Sequence, residues 1–198
     1  MAQRASGYGR VPDDRYETPD PVTATIVPYL HSRARHLWEP ARAPSDAMGQ
    51  ALRHAGFQVT STAGDFLRTS APPANDIDGV VTNPPYGERG ATACSFIEHG
   101  LTLVRHVALL LPIDFDSAKG RTHLFRDCPA FAHKIVLLGR VKWFAGPKSP
   151  SSNHAWHCFD REHRGPATIG YAVVERHAGH PRLELNFHDD RKGVEHHV

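Results

Sequence analysis

The sequence has few cysteines, no long apolar run and almost no net charge. Its three cysteines, Cys94, Cys128 and Cys158, are widely spaced and odd in number, which is untypical of a disulfide framework and fits a reducing compartment. The longest apolar runs, such as HVALLLP, are far too short to span a bilayer. The basic N-terminus also lacks the apolar region of a signal peptide. These absences predict a cytoplasmic protein that has no membrane partner.

The size and charge of the chain set wide limits on its function. The net charge of +2 neither requires nor excludes a polyanionic partner, because a balanced total can hide a local basic face. A chain of 198 residues without an internal repeat suggests one folded domain. We predict a mobile arm over residues 1–15, the domain over 16–176 and a polar, histidine-rich tail over 177–198. The 15 histidines are scattered, so we predict no metal site.

Strand and helix patterns alternate along the first two thirds of the chain. Strands are predicted at HLWEP, FQVTSTA, NDIDGVVTN, HVALLLP, HKIVLLGRVKWF, HAWHCFD and TIGYAVVE. Helices are predicted at TPDPVTATIVPYL with Asp20 as the N-cap, at SDAMGQALRHAGF with Gly56 as the stop, at ATACSFIEHGLTLV and at SAKGRTHLFRDC. The alternation predicts an α/β sheet with helices on both faces and an antiparallel closing section.

The most informative stretch is VVTNPPYGER, from Val80 to Arg89. The apolar strand delivers Asn83 to the carboxyl end of the sheet, where ligands of open α/β sheets bind. Pro84 and Pro85 stiffen the backbone and lack N–H groups, so the Asn83 side-chain oxygen and main-chain carbonyls remain as acceptors. Tyr86 adds a flat aromatic face. This set suits a planar group that bears an exocyclic amine, which would be activated by orientation rather than by a strong base.

The Asn-Pro-Pro-Tyr motif after DGVVT resembles the catalytic motif of amino-methyltransferases. These enzymes use S-adenosylmethionine to methylate adenine N6, cytosine N4 or glutamine side-chain amides. The resemblance implies a Rossmann-like methyltransferase fold, which is a mostly parallel seven-stranded sheet with one antiparallel strand. It also implies a nucleic-acid partner, with DNA favoured over RNA and adenine N6 as the favoured target.

Other segments extend this resemblance over Tyr16 to Val174. YETPDPVTATIVPYL resembles the family's Tyr-x-Thr-Pro segment beside the cofactor, LWEP its strand that ends in Glu-Pro, and GDFL its Asp-Phe-Leu step at the cofactor's adenine. The later part, from PIDFD to SPSSNHAW, looks like a group of bacterial and phage-associated proteins described only as methyltransferase candidates. The cofactor-binding residues that the resemblance implies are Tyr16, Thr18, Glu39, Pro40, Ala41, Asp65 and Phe66.

The cofactor loop departs from the family pattern. Glycines should follow Glu39-Pro40 so that the backbone can approach the cofactor, yet no glycine occurs before Gly49. Arg42 brings bulk and positive charge toward a sulfonium ligand, and Pro44 lacks an N–H. The acid that usually holds the ribose hydroxyls at the end of the next strand is also missing. Either that contact is lost or Asp65 has taken it over.

Two interpretations therefore stay open. The chain is either an active adenine-specific methyltransferase with a divergent loop or a pseudoenzyme-like binding module that has lost normal cofactor binding. RNA adenine and protein glutamine stay open as alternative targets. No target-recognition domain is visible, so a specificity partner is an option. Aromatic and basic side chains at the end of the fifth predicted strand and in the loop after it suit contacts to a nucleic acid, against the alternative of a solvated face. These candidates are Lys142, Trp143, Phe144 and Lys148.

Overall fold

The computed structural model describes residues 16–143 and 152–174. The predicted arm over residues 1–15 and the predicted tail over residues 177–198 lie outside this described part.

The described chain forms one sheet of seven strands. The strands are β1 (His36–Glu39), β2 (Gln58–Ser61), β3 (Gly79–Thr82), β4 (His106–Pro112), β5 (Phe131–Leu138), β6 (His154–Asp160) and β7 (Thr168–Val173). Their order across the sheet is β2-β1-β3-β4-β6-β5-β7. Strand β6 runs antiparallel to β4 and β5, and every other neighbouring pair is parallel. This arrangement confirms the predicted Rossmann-like methyltransferase fold.

Four α-helices cover both faces of the sheet. They are α1 (Asp20–Ala24), α2 (Val27–His31), α3 (Ala47–His54) and α4 (Ala91–Leu103). Helices α1 to α3 bury side chains such as Leu30 and Leu52 against one face, and α4 buries Phe96 and Ile97 against the other. The two predicted amphipathic helices at α3 and α4 are therefore confirmed, because each presents its apolar side to a different sheet face. No helix in the described part is long and apolar enough to cross a membrane.

The first predicted helix is wrong in detail, since the segment forms two short helices. Pro28 lies in the first turn of α2, where it has no N–H to bond to the carbonyl of Ala24 and its ring would clash with that carbonyl in a continuous helix. The N-cap of α1 is Pro19 rather than the predicted Asp20, which is the first helical residue. The predicted stop at Gly56 agrees with its positive φ of 94°.

The predicted helix at SAKGRTHLFRDC is also wrong. The connection from β4 to β5 contains only short 3-10 turns, at Phe115–Ser117 and Lys119–Arg121. Gly120 weakens helix formation here, and the Arg121 side chain instead bonds to the carbonyl oxygens of Phe115 and Arg89. Strand β5 ends at Leu138 because Gly139 adopts a φ of 113°.

The connection without a helix leaves the outer edge of the sheet less covered than its centre. Ile169, Tyr171 and Val173 alternate along β7 and are more than half exposed. The centre of the sheet, at β1, β3 and β4, carries the buried core on both faces. Residues at the carboxyl ends of these central strands are consequently held on a rigid base.

Candidate active site

The centre of the sheet contains a point where the chain reverses its direction of travel across the strands. From β1 the chain moves outward to β2 and then returns to β3 on the other side of β1. The loops after β1 and β3 leave in opposite directions, and such a switch point opens a crevice at the carboxyl ends of the strands. Glu39 ends β1, and Asn83 follows β3. The topology therefore places these two predicted site residues at one crevice.

A depression at this crevice collects most of the predicted cofactor side. It includes about 250 Å³ of empty space, part of it open solvent. Its lining residues are Tyr16, Glu17, Thr18, Glu39, Ala41, Arg42, Ala43, Asp46, Ala47, Met48 and Asn83. The predicted residues Tyr16, Thr18, Glu39, Ala41 and Asn83 thus line one depression, although they come from three separate segments of the sequence.

Glu39 is the buried acid of the depression, with only 4% of its surface exposed. Its Oε1 accepts hydrogen bonds from the Thr82 hydroxyl at 2.7 Å and from the Ala41 N–H at 2.8 Å. Burial raises the pKa of Glu39 to about 8, against the opposing effect of these two hydrogen bonds. The carboxyl group is therefore largely protonated near neutral pH, and a cationic ligand beside it would favour its ionised form.

The loop from Ala41 to Asp46 is fixed at both sides rather than open. The Arg42 N–H donates to the carbonyl oxygen of Thr62 at 2.9 Å, which ties the loop to the end of β2. On the other side, the N–H and hydroxyl of Ser45 donate to the Glu17 carboxylate at 2.7 and 2.6 Å. The Glu17–Ser45 pair therefore holds the loop against the segment that carries Tyr16 and Thr18.

Asp46 also lines the depression, at the start of helix α3. It has a left-handed φ of 55° and makes no side-chain capping bond. One carboxylate oxygen, Oδ2, pairs with Arg53 at 2.8 Å, and the other, Oδ1, is buried without a hydrogen-bond partner among the described residues. A Cβ on Gly49 would collide with the Asp46 carboxylate and with the Ser61 hydroxyl. Gly49, the first glycine after Glu39, was the only sequence signal for this approach of Asp46 to the end of β2.

Three predicted cofactor residues lie outside the depression. Asp65 is exposed before a 3-10 turn, and Phe66 is 3% exposed and packs against Trp38 and Phe96. Pro40 is buried directly after Glu39 but does not line the depression either. Phe66 is therefore a core residue, and Asp46 lines the depression whereas Asp65 does not.

The predicted Asn-Pro-Pro-Tyr segment leaves β3 at the other side of the crevice. Asn83 and Pro84 are buried, and Pro85 and Tyr86 are half-buried. The Tyr86 hydroxyl donates to the carbonyl oxygen of Leu110 at 3.3 Å, which anchors the ring beside β4. Gly87 follows with a φ of 70°, and a Cβ there would collide with Thr92. The turn after the motif thus requires glycine, and the four motif residues are held by the sheet.

Of the predicted substrate residues, Trp143 contacts the site. Its ring centroid lies 5.9 Å from that of Tyr16, which lines the depression, and 5.1 Å from that of His154 in an edge-on contact. Burial lowers the pKa of His154 to about 4, so its ring is neutral at physiological pH. Lys142 is exposed. Phe144 and Lys148 lie outside the described residues.

Three basic side chains that precede Lys142 are engaged by other groups of the domain. Arg121 is engaged by main-chain carbonyls, Arg126 by Asp127 and Lys134 by Asp116, in a pair that is mostly buried. Arg126 and Lys134 are therefore paired with acids, whereas Arg121 keeps its positive charge. Across the described segments, no group of three or more His, Cys, Asp or Glu side chains could hold a metal ion.

The strand order and the crevice define the chain as one with the Rossmann-like methyltransferase fold. No protein-family model and no curated protein matches the sequence. The fold is similar to that of a predicted class I S-adenosylmethionine-dependent methyltransferase from Listeria monocytogenes, with a TM-score of 0.58 and 12% identity over 85% of this chain and 68% of that one. A predicted RNA methyltransferase from Pyrococcus horikoshii matches with a TM-score of 0.57 and 13% identity over 78% of this chain and 91% of that one.

A third solved structure of this fold comes from a restriction system. It is the methyltransferase subunit of a type I restriction-modification system from Streptococcus thermophilus, with a TM-score of 0.54 and 14% identity over 80% of this chain. This chain spans only 47% of the length of that subunit. Identities this low show a similarity of fold only.

Proposed function

We propose that the chain is an S-adenosylmethionine-dependent methyltransferase that acts on a conjugated amine, with adenine N6 in DNA as the first candidate. The observation that carries the proposal is the meeting of Glu39 and Asn83 at one depression, at the carboxyl ends of β1 and β3. A donor side and an acceptor side of a transfer reaction can face each other only if both reach the same crevice.

The donor side fits the polar groups of S-adenosylmethionine. The buried Glu39 carboxyl and the buried, unpartnered Oδ1 of Asp46 are acceptors, which suit the ammonium and the ribose hydroxyls of that cofactor. The Thr18 side chain is buried at the same depression. When bound, S-adenosylmethionine supplies an electrophilic methyl group on its sulfonium.

The acceptor side orients the amine. The Asn83 side-chain oxygen and the Pro84 carbonyl oxygen accept hydrogen bonds from the target –NH₂, and Tyr86 packs against the ring. The nitrogen lone pair is conjugated and weakly nucleophilic, so positioning contributes more than proton removal. An adenine in a duplex must first be extruded, which costs a few kcal/mol. Trp143, held against Tyr16, is placed to shelter the extruded base.

Calorimetry followed by a transfer assay tests this function. We expect S-adenosylhomocysteine to bind the full chain and a labelled methyl group to pass to adenine-containing DNA. Matched RNA oligonucleotides and glutamine peptides serve as competing acceptors. If the methyl group passes only to RNA or only to peptide, the chain is a methyltransferase but DNA adenine is not its substrate. If S-adenosylhomocysteine does not bind at millimolar concentration, the proposed methyltransferase activity is refuted.

The fixed loop favours one alternative, a methyltransferase-fold binding module without normal cofactor binding. The loop has no glycine, and the Glu17–Ser45 pair ties it to the segment that carries Tyr16 and Thr18. This alternative predicts retained binding of DNA that contains an accessible adenine, with no heat from S-adenosylhomocysteine. The same calorimetric experiment separates the two functions.

A further inference from the structure

Among the residues that the structure describes, Arg42 is the only basic side chain that lines the depression. Its Nε is buried and has no hydrogen-bond partner among residues 16–143 and 152–174. A buried guanidinium nitrogen without an acceptor is costly, because the desolvated donor loses its water and gains nothing in return. An acceptor from outside the described part of the chain would therefore stabilise the N–H at Arg42 Nε.

The acids that line the depression beside Arg42 make contacts with other groups. The Glu17 carboxylate accepts both hydrogen bonds from Ser45, and Glu39 is held by Thr82 and Ala41. Asp46 pairs with Arg53 through Oδ2, while its Oδ1 has no hydrogen-bond partner among the described residues. Burial also keeps Glu39 largely protonated near neutral pH. The guanidinium thus retains its positive charge for a group that enters from outside.

The backbone around Arg42 supports an anionic ligand. Helix α3 begins at Ala47, which lines the same depression, and the positive end of a helix dipole favours anions. The Arg42 N–H is already used by Thr62, and Pro44 has no N–H. The Arg42 side chain therefore brings to this loop a donor, Nε, that no described acceptor uses.

We propose that Arg42 binds the α-carboxylate of the cofactor's amino-acid part and so replaces the missing glycine loop. This inference rests on the proposed cofactor. A guanidinium binds a carboxylate through two parallel hydrogen bonds, which a side chain provides without close approach of the backbone. The site then selects ligands that carry a free α-carboxylate, while Glu39 lies near the ammonium group of the same amino-acid part.

The test compares three ligands by calorimetry on the full chain. They are S-adenosylhomocysteine, decarboxylated S-adenosylmethionine and methylthioadenosine, which lacks the whole amino-acid part. Arg42→Ala should weaken S-adenosylhomocysteine by about tenfold or more, the usual effect of losing a charged hydrogen-bonding partner. It should leave methylthioadenosine and the decarboxylated ligand within about twofold, and Arg42→Lys should restore part of the lost affinity. Arg68→Ala, in an exposed turn, is the matched control and should change nothing.

Other outcomes overturn the inference in distinguishable ways. If Arg42→Ala binds S-adenosylhomocysteine as tightly as the unaltered chain or more tightly, Arg42 obstructs or ignores the carboxylate, although the proposed function survives. An equal loss for all three ligands also refutes the inference and points to a general role in loop structure. If the unaltered chain binds none of them, the proposed function fails together with the inference.

Discussion

The two sides of the crevice are held in place by different means. On the proposed acceptor side, the backbone itself is restrained, since two prolines follow β3 and the Tyr86 hydroxyl is anchored to β4. On the proposed donor side, side-chain contacts hold the loop, because Glu17 accepts hydrogen bonds from Ser45 and Asp46 pairs with Arg53. Prolines that follow a strand can be recognised in the sequence, whereas a network of side-chain contacts forms only in the folded chain. The two sides should also respond differently to substitution.

The largest effect is expected on the acceptor side, where Asn83→Ala should lower methyl transfer at least about 100-fold, in the range for loss of one key hydrogen-bonding group. Binding of S-adenosylhomocysteine and the melting temperature should stay near those of the unaltered chain, because little core volume is lost. Transfer rates and calorimetry measure both, with the exposed Asn75→Ala as a control. Retained transfer would remove Asn83 from the mechanism.

The next effect concerns Glu39 and pH. Because burial raises the pKa of Glu39 from 4.5 to about 8, the folded state binds this proton more tightly than the unfolded state. The contribution to stability is complete below pH 4.5 and is lost as pH rises through about 8. Glu39→Gln should therefore gain stability relative to the unaltered chain as the pH rises, by a few kcal/mol at about pH 9, since one pKa unit corresponds to about 1.4 kcal/mol.

Denaturant unfolding at several pH values measures this difference. The exposed acid Asp65 offers the control, and Asp65→Asn should show no such trend. If the difference in unfolding free energy between Glu39→Gln and the unaltered chain did not change with pH, the raised pKa of the buried Glu39 carboxyl would be contradicted.

A smaller effect is expected from Gly49→Ala. Alanine is normally the better helix former, but here its Cβ meets the Asp46 carboxylate and the Ser61 hydroxyl, so we expect a loss of roughly 1–3 kcal/mol of unfolding free energy. Gly64→Ala is the matched control, because its Cβ would enter open space. Equal stability of the two variants, by urea unfolding, would mean that Asp46 moves away at no cost.

The smallest effect should come from Glu17→Ala, which removes both acceptors of Ser45. These bonds are exposed, so their loss should cost at most about 1 kcal/mol. If the Glu17–Ser45 pair limits entry, S-adenosylhomocysteine should associate a few-fold faster in stopped-flow measurements. The neighbouring, exposed Asp20→Ala should leave the rate unchanged, and a slower rate in Glu17→Ala would show that the pair forms part of the binding surface.

The sequence predicted the elements that have strong periodicity. The seven strands and helices α3 and α4 were predictable because their apolar residues recur as expected for elements that are buried on one side or on both sides. The helix predicted at SAKGRTHLFRDC failed because Arg121 finds its acceptors at Phe115 and Arg89, and the second of these is far away in sequence. Local propensity carries no information on such a contact.

The same reason explains the uneven prediction of the site. Asn83 and Glu39 end strands, so their position followed from topology. Asp46 depends on a left-handed residue, the neighbouring Gly49 and a partner at Arg53, which only the folded chain brings together. Asp65 matched a motif in sequence but has no strand or contact that would bring it to the depression.

The Glu17–Ser45 pair has one consequence that concerns energy rather than shape. Its two hydrogen bonds join segments 28 residues apart, so displacing the segment around Thr18 and releasing the loop around Ser45 become linked events. Such linkage is reciprocal. A ligand that displaces the loop also makes the segment beside Tyr16 easier to displace, and a ligand that displaces that segment has the same effect on the loop. Because the ring of Tyr16 contacts that of Trp143, the same linkage would extend from the proposed cofactor side to the proposed substrate side.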